Sequence, residues 1–167
     1  AGHVGAAIVG FAQTLNFKTV LIDERCDILK KVHLLSTDKM QMHHKEAFPF
    51  LNFDSDTYIV ICTHLHEYDR EILAYCLSQP NAYLGMIGSK RKVLVTRKRF
   101  LLQEVSTREQ LDKVDMPMGL DIGQNSPAEI ALGIIAKIIA VSNGKEILTP
   151  FKINEYDEAG FNSNGCS

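Results

Sequence analysis

Gly2 and Gly5, Asp23, His64 and His66, Gly88 and Ser89 with the cations after them, and Asp121 are the side chains and turns best suited to hold a ligand. Gly2-His3-Val4-Gly5 reads as the end of a Gly-x-Gly-x-x-Gly turn. A helical pattern follows, then a short apolar strand over 18–22 and Asp23. This order fits the phosphate-binding turn of a dinucleotide-binding βαβ unit. Gly2 would let backbone approach a pyrophosphate, and Gly5 would let helix and strand pack closely. The helix N-terminus would offer free N–H groups to an anion. Asp23 falls about where an acid meets a ribose hydroxyl, roughly 20 residues on. The plainer readings are a tight βα turn and an aspartate paired with Arg25.

His64 and His66 follow a buried strand and share a face if that strand continues; with Asp69 they could hold a metal or shuttle protons. A polar loop is the plainer reading. Gly85-Met86-Ile87-Gly88-Ser89-Lys90-Arg91-Lys92 ends a strand in glycine, caps a helix with serine and fills its first turn with cations. Cations there oppose the helix dipole, which suggests an anionic partner such as a phosphate; a solvated basic face is the alternative. Asp121, within Gly119-Leu120-Asp121-Ile122-Gly123, could accept hydrogen bonds from a ligand ring or amide, or could simply bond its own turn. No nucleophile–base pair stands out, and no metal set is expected.

The elements that must position these residues alternate. Helical spacing covers 6–16, with Asn16 as its stop. The run over 58–63 is near-continuously apolar and β-branched, as in a strand buried on both faces of a parallel sheet. An amphipathic helix spans 68–78, a strand 82–87, and a basic helix runs from Ser89 to about Leu102. A short helix is capped at Thr107, and a glycine-flanked strand is expected over 117–123. Ser126-Pro127-Ala128-Glu129 is the strongest helix start in the chain, with Ser at N-cap, Pro at N1 and Glu at N3. Residues 36–53 read as connector with one short strand at most. The expected architecture is α/β: a doubly wound, mostly parallel sheet with helices on both faces and ligand turns at the carboxyl edge. The domain spans 1–148, and a polar tail spans 149–167. The strand that should lead into the glycine turn is not among these residues, which would leave an open slot beside the turn.

The bulk properties fit a single soluble domain. The chain has 167 residues, 46% hydrophobic and 23% charged, with a net charge of −2. No global basic field draws nucleic acid, and no apolar run reaches the ~18 residues of a membrane span. Four cysteines without C-x-x-C spacing suit a reducing cytosol. With the glycine turn at the start in place of a secretion signal, the expected location is cytoplasmic.

Taken in order, the motifs at 1–5, Thr63-His64-Leu65-His66, Gly85 to Lys92 and 119–131 resemble the XdhC/CoxI family, specifically its C-terminal Rossmann domain. The last two are the specific ones, because ordinary Rossmann dehydrogenases lack that Ile-Gly-Ser-basic turn paired with Gly-Leu-Asp-Ile-Gly. The resemblance implies an accessory factor for molybdenum hydroxylases of the xanthine dehydrogenase type. Such a factor holds molybdenum cofactor, a molybdopterin sometimes in nucleotide form, during its sulfuration and insertion. It implies a chaperone more than a catalyst. The implied partners are the hydroxylase apoenzyme, a cysteine desulfurase and an N-terminal domain of the same protein, with room for a homodimer. The site residues implied are Gly2, His3, Gly5, Asp23, His64, His66, Gly88, Ser89, Lys90, Arg91 and Asp121. An NAD(P)-dependent oxidoreductase and a regulatory domain with a vestigial nucleotide site are the alternatives.

Overall fold

In the computed structural model, residues 1–33 and 37–145 are described. The chain runs α1 (His3–Thr14), β1 (Thr19–Ile22), α2 (Cys26–Lys31), β2 (Thr37–Met40), α3 (His44–Ala47), a 3₁₀ turn (Phe48–Phe50), β3 (Tyr58–Ile61), α4 (His66–Cys76), β4 (Tyr83–Met86), α5 (Lys90–Leu102), α6 (Arg108–Asp112) and α7 (Pro127–Ser142). The expected tail at 149–167 lies outside the described residues.

The four strands form two parallel pairs, β1 with β2 and β3 with β4. In both pairs the register is unbroken, Thr19 opposite Thr37 and Tyr58 opposite Tyr83. On its other side β4 is bonded at Asp115, whose N–H donates to the Leu84 carbonyl and whose carbonyl accepts from Met86 N–H. Alternation along β3 sends its side chains to two separate layers, as period-2 geometry requires. Ile61 joins Leu84, Met86, Leu73 of α4 and Val93 and Phe100 of α5. Tyr58, Val60 and Cys62 pack instead with Ile8 and Ala12 of α1 and Ile134, Ile135 and Ile138 of α7. Helices therefore cover both faces of β3–β4. On the other half, Leu21 of β1 packs against Val9 of α1 and Leu29 of α2.

Local chemistry sets the helix ends. Ser126 Oγ accepts from Glu129 N–H, and Glu129 Oε2 accepts from the N–H groups of Ser126 and Asn125, a complete capping box at the start of α7. At the end of α1, Asn16 takes φ +62°. Phe17 N–H then reaches back to the Ala12 carbonyl and Asn16 N–H to that of Gln13, the paired closure of a helix by a left-handed residue. Val105, Glu104, Phe100 and Leu101 close α5 the same way, with Glu104 at φ +54°.

One element departs from expectation. The strand foreseen over 117–123 does not form. Gly119 and Gly123 take φ +96° and +72°, which no extended ladder accommodates. Leu120 N–H leaves the sheet and donates to the Gly133 carbonyl in α7. The last sheet bond on this side is Met118 N–H to the Met86 carbonyl. A Cβ on Gly133 would sit 2.9 Å from the Leu120 carbonyl oxygen, so the loop's approach to α7 depends on that glycine.

Candidate functional site

Four turns approach the carboxyl edge, and a buried ion pair ties two of them together. The first precedes α1. Its N-cap, Gly2, offers no side chain, and the first intrahelical bond is Ala6 N–H to the Gly2 carbonyl. The N–H groups of His3, Val4 and Gly5 stand ahead of that bond, at the positive end of a helix with no acid in its first turn. A Cβ built on Gly2 would meet nothing within 4 Å, so the backbone there is open to approach. Gly5 lies against the end of β3, where a Cβ would be 3.4 Å from Cys62 Sγ.

The second turn follows β1. Asp23 Oδ1 accepts from the Arg25 N–H and Nε at 3.0 and 2.9 Å, and Oδ2 accepts from Arg25 Nη2 at 2.7 Å. Burial alone would raise this carboxyl. The bonds from Arg25 outweigh it and hold the pKa well below the usual carboxylate range. The Arg25 pairing weighed from sequence is thus what the structure contains.

The third turn follows β3 and is locked to the fourth, after β4, by a residue pair that sequence reading did not assign. Asp69 is fully buried. Its Oδ1 accepts from Thr63 N–H and hydroxyl at 2.9 and 2.7 Å, and its Oδ2 takes an ion pair from Lys92, whose ammonium also donates to the Ile87 carbonyl at 2.9 Å. Lys92 therefore folds back as a strut between the turns and does not join Lys90 and Arg91 as a third outward cation. The only local sign of Asp69 was an acid in the first turn of α4. Its partner lies 23 residues away.

His64 and His66 do not share a strand face. β3 ends at Ile61, Thr63 bonds inward to Asp69, and His66 is already the first residue of α4. Both imidazoles are exposed at the rim. His66 Nδ1 is 3.9 Å from Asp69, and the His64 ring meets Tyr68 edge-on at 5.8 Å. Among the described residues no three His, Cys, Asp or Glu side chains are grouped to hold a metal ion. Ser89 Oγ caps α5 by accepting Lys92 N–H, and Lys90 and Arg91 are exposed in its first turn. At Gly88 a Cβ would press to 2.8 Å from Lys92 Cδ, so this glycine makes room for the strut. Asp121 is exposed and bonds its own turn, accepting Gly123 N–H at 3.5 Å. That loop is anchored by Gly119 N–H to Asp115, which also takes Tyr83 OH at 2.6 Å and an ion pair from buried Lys137.

Beside the rim lies a cavity of about 250 Å³, lined by residues of β1 and β3 together with His43, His44 and Tyr68. His43 and His44 pack ring on ring at 4.1 Å, and His44 Nε2 is 2.9 Å from Glu71. Burial lowers the His44 pKa, against the opposing pull of Glu71.

Residues 1–138 match the family model described as the XdhC Rossmann domain. The chain belongs to that family. It is 31% identical over 147 residues to the uncharacterized protein YqeB of Escherichia coli K12, covering 86% of the chain and 26% of the relative. It is 34% identical over 144 residues to a probable xanthine dehydrogenase subunit from Bacillus subtilis 168, covering 83% of the chain and 40% of the relative. A solved structure described as a xanthine dehydrogenase from Bacillus halodurans superimposes with a TM-score of 0.72 at 30% identity, over 90% of this chain and 43% of that one. The chain thus spans less than half the length of these relatives. No helix among the described residues is long and apolar enough to cross a membrane.

Proposed function

We propose that this XdhC domain is the cofactor-holding part of an accessory factor for a molybdenum hydroxylase of the xanthine dehydrogenase type. It would hold molybdenum cofactor while the cofactor is sulfurated and inserted. The observation that carries the reading is the donor set at α1: three N–H groups at an uncapped helix start, open space over Gly2, and the exposed cations of Lys90 and Arg91 at the start of α5. A phosphate suits that set, since it is an anion with several acceptor oxygens. The residues present therefore fit the phosphorylated end of the cofactor. When bound, the cofactor brings the molybdenum centre that the hydroxylase uses. This chain's residues hold and orient: His3, Val4 and Gly5 N–H on the phosphate, Lys90 and Arg91 neutralising it, His64 and His66 on the rim, and Asp121 toward the ring system.

The names of the Bacillus relatives support an association with xanthine dehydrogenase. A hydroxylase apoenzyme is the partner proposed first, with a cysteine desulfurase and an N-terminal domain of the same protein as further partners, in the cytoplasm. The NAD(P) alternative needs Asp23 to face a ribose, but both its oxygens are engaged by Arg25 and the side chain is only 8% exposed. Deleting the gene tests the reading. Expected is a hydroxylase that accumulates as protein, lacks activity and regains it on complementation with the full-length factor. Normal hydroxylase activity in the deletion strain would sink the proposal.

A further inference from the structure

α5 has two faces of different kinds. Val93, Thr96, Arg97 and Phe100 are buried and turn it into the core. On the opposite side Arg91, Val95, Lys98 and Leu102 follow one another at helical spacing. At about 100° per residue these four fall within an arc of about 60°, a straight line about 16 Å long. All four are exposed, Val95 at 44% and Leu102 at 74%. A solvated helix face commonly sets acids one turn from its cations, because such pairs attract. No acid stands anywhere between Lys90 and Gln103. The residues one turn either side of Lys98 are Leu94, Val95, Leu101 and Leu102. Lys92 and Arg97 turn aside to pair with Asp69 and Asp112. Lys98 and Arg99 stay at the surface, where Arg99 bonds only to the neutral Gln103 among the contacts described.

We infer that this line is a docking surface for an acidic amphipathic helix of a partner protein. Its carboxylates meet Lys98 and Arg99, and its aliphatic side chains cover Val95 and Leu102. About three turns of such a helix match the length of the line. The charge complementarity decides against the other occupants. A second copy docked about a two-fold axis would set the same cations against one another. A helix lying on a lipid surface keeps its cations and its aliphatics on separate faces; here they alternate along one line, and the main apolar face is already buried in the core. The line begins at Arg91, beside the cations assigned to the phosphate, so a partner seated on it lies next to the proposed cofactor edge. The partner is the hydroxylase apoenzyme, and for that identity the inference rests on the reading above.

Two double variants of the full-length protein test it: Val95→Ser with Leu102→Ser, and Lys98→Glu with Arg99→Glu. All four side chains are exposed, so both variants should fold, as circular dichroism checks. Binding to purified hydroxylase apoenzyme is measured by calorimetry at low and at moderate salt, and binding to purified molybdenum cofactor is measured beside it. Expected is at least a tenfold loss of apoenzyme affinity in each variant. The charge variant should also lose most of the salt dependence shown by wild type. Cofactor affinity should stay within about twofold, since the phosphate is held by other groups. Wild-type binding of the apoenzyme that both variants retain would overturn the surface and leave the partner reading intact. No binding of the apoenzyme by wild type would overturn the partner reading, and this inference with it. Variants that bind the apoenzyme normally but lose self-association, or lose binding to phosphatidylserine vesicles, would overturn the inference in favour of a second copy or a lipid surface.

Discussion

Lys92→Met is the perturbation that best tests how the site is built. The substitution keeps the stem's apolar contacts and removes only the ammonium. It leaves the Asp69 carboxylate fully buried, with Thr63 as its remaining hydrogen-bond partner. Lys92 is itself only 10% exposed, so solvent screens the pair weakly. Breaking one side of a buried pair costs about 3–5 kcal/mol, because a buried charge is left uncompensated. For a domain of this size each kcal/mol corresponds to roughly 2–4 °C in Tm, so the expected fall is about 6–20 °C. Removing both charges with Asp69→Leu and Lys92→Met should cost less than the sum of the single changes, by about 1–3 kcal/mol of coupling. Chemical denaturation of the four proteins gives the cycle. Hydrogen exchange over 63–69 and 87–92 reports whether the two turns loosen together. A Lys92→Met cost below about 1 kcal/mol, the range of an exposed pair, or strictly additive effects, would refute the strut.

Three further outcomes follow from single contacts. Gly133→Ala places a methyl 2.9 Å from the Leu120 carbonyl; we expect the 119–123 loop to lift from α7, read as faster exchange at Leu120 N–H, and unchanged exchange there would contradict the packing. Glu104→Gly relieves a left-handed residue at an exposed helix end and should stabilise by up to about 1 kcal/mol by denaturant titration, whereas a loss would show the position unstrained. The His44 pKa is lowered in the folded state, so the unfolded chain binds the proton more readily; stability is full above the ordinary value of 6.5 and declines as pH falls below it. Glu71, held low mainly by its bond to Lys45, adds a further loss as pH drops through the carboxylate range. A Tm–pH profile of His44→Asn should be flatter than wild type as pH falls below 6.5.

What sequence revealed and what it hid divides along the reach of the interactions. The α7 start was legible because Ser126, Pro127 and Glu129 act within one turn. β3 and β4 were legible because continuous apolar runs have few other uses. β2 was nearly invisible: Thr37, Asp38, Lys39 and Met40 have no apolar alternation, and the strand is held by backbone pairing to β1. The 119–123 segment misled because two glycines beside apolar residues look like a bounded strand, while their left-handed φ values become visible only in the fold. The histidines misled because the end of β3 is set by Thr63 turning to Asp69, six residues on. The Asp69–Lys92 strut and the Asp115–Lys137–Tyr83 cluster join residues more than 20 apart, and no local pattern encodes them. The glycine turn, the Ser89 cap and the basic start of α5 lie on the elements expected of them, and Asp23 lies at the end of β1 and bonds locally; Asp121, expected in a strand, lies in a loop and bonds within its own turn.

The uncapped α1 and the basic start of α5 are proposed to receive a phosphorylated cofactor. The most direct measurement is equilibrium titration of the full-length protein with purified molybdopterin-form cofactor, for wild type and for the Lys90→Glu, Arg91→Glu double variant. The account predicts saturable binding by wild type, weakened at least tenfold in the variant and falling with added salt, as screening of an anion site requires. No saturable binding by wild type, or equal affinity in the two proteins, would contradict it.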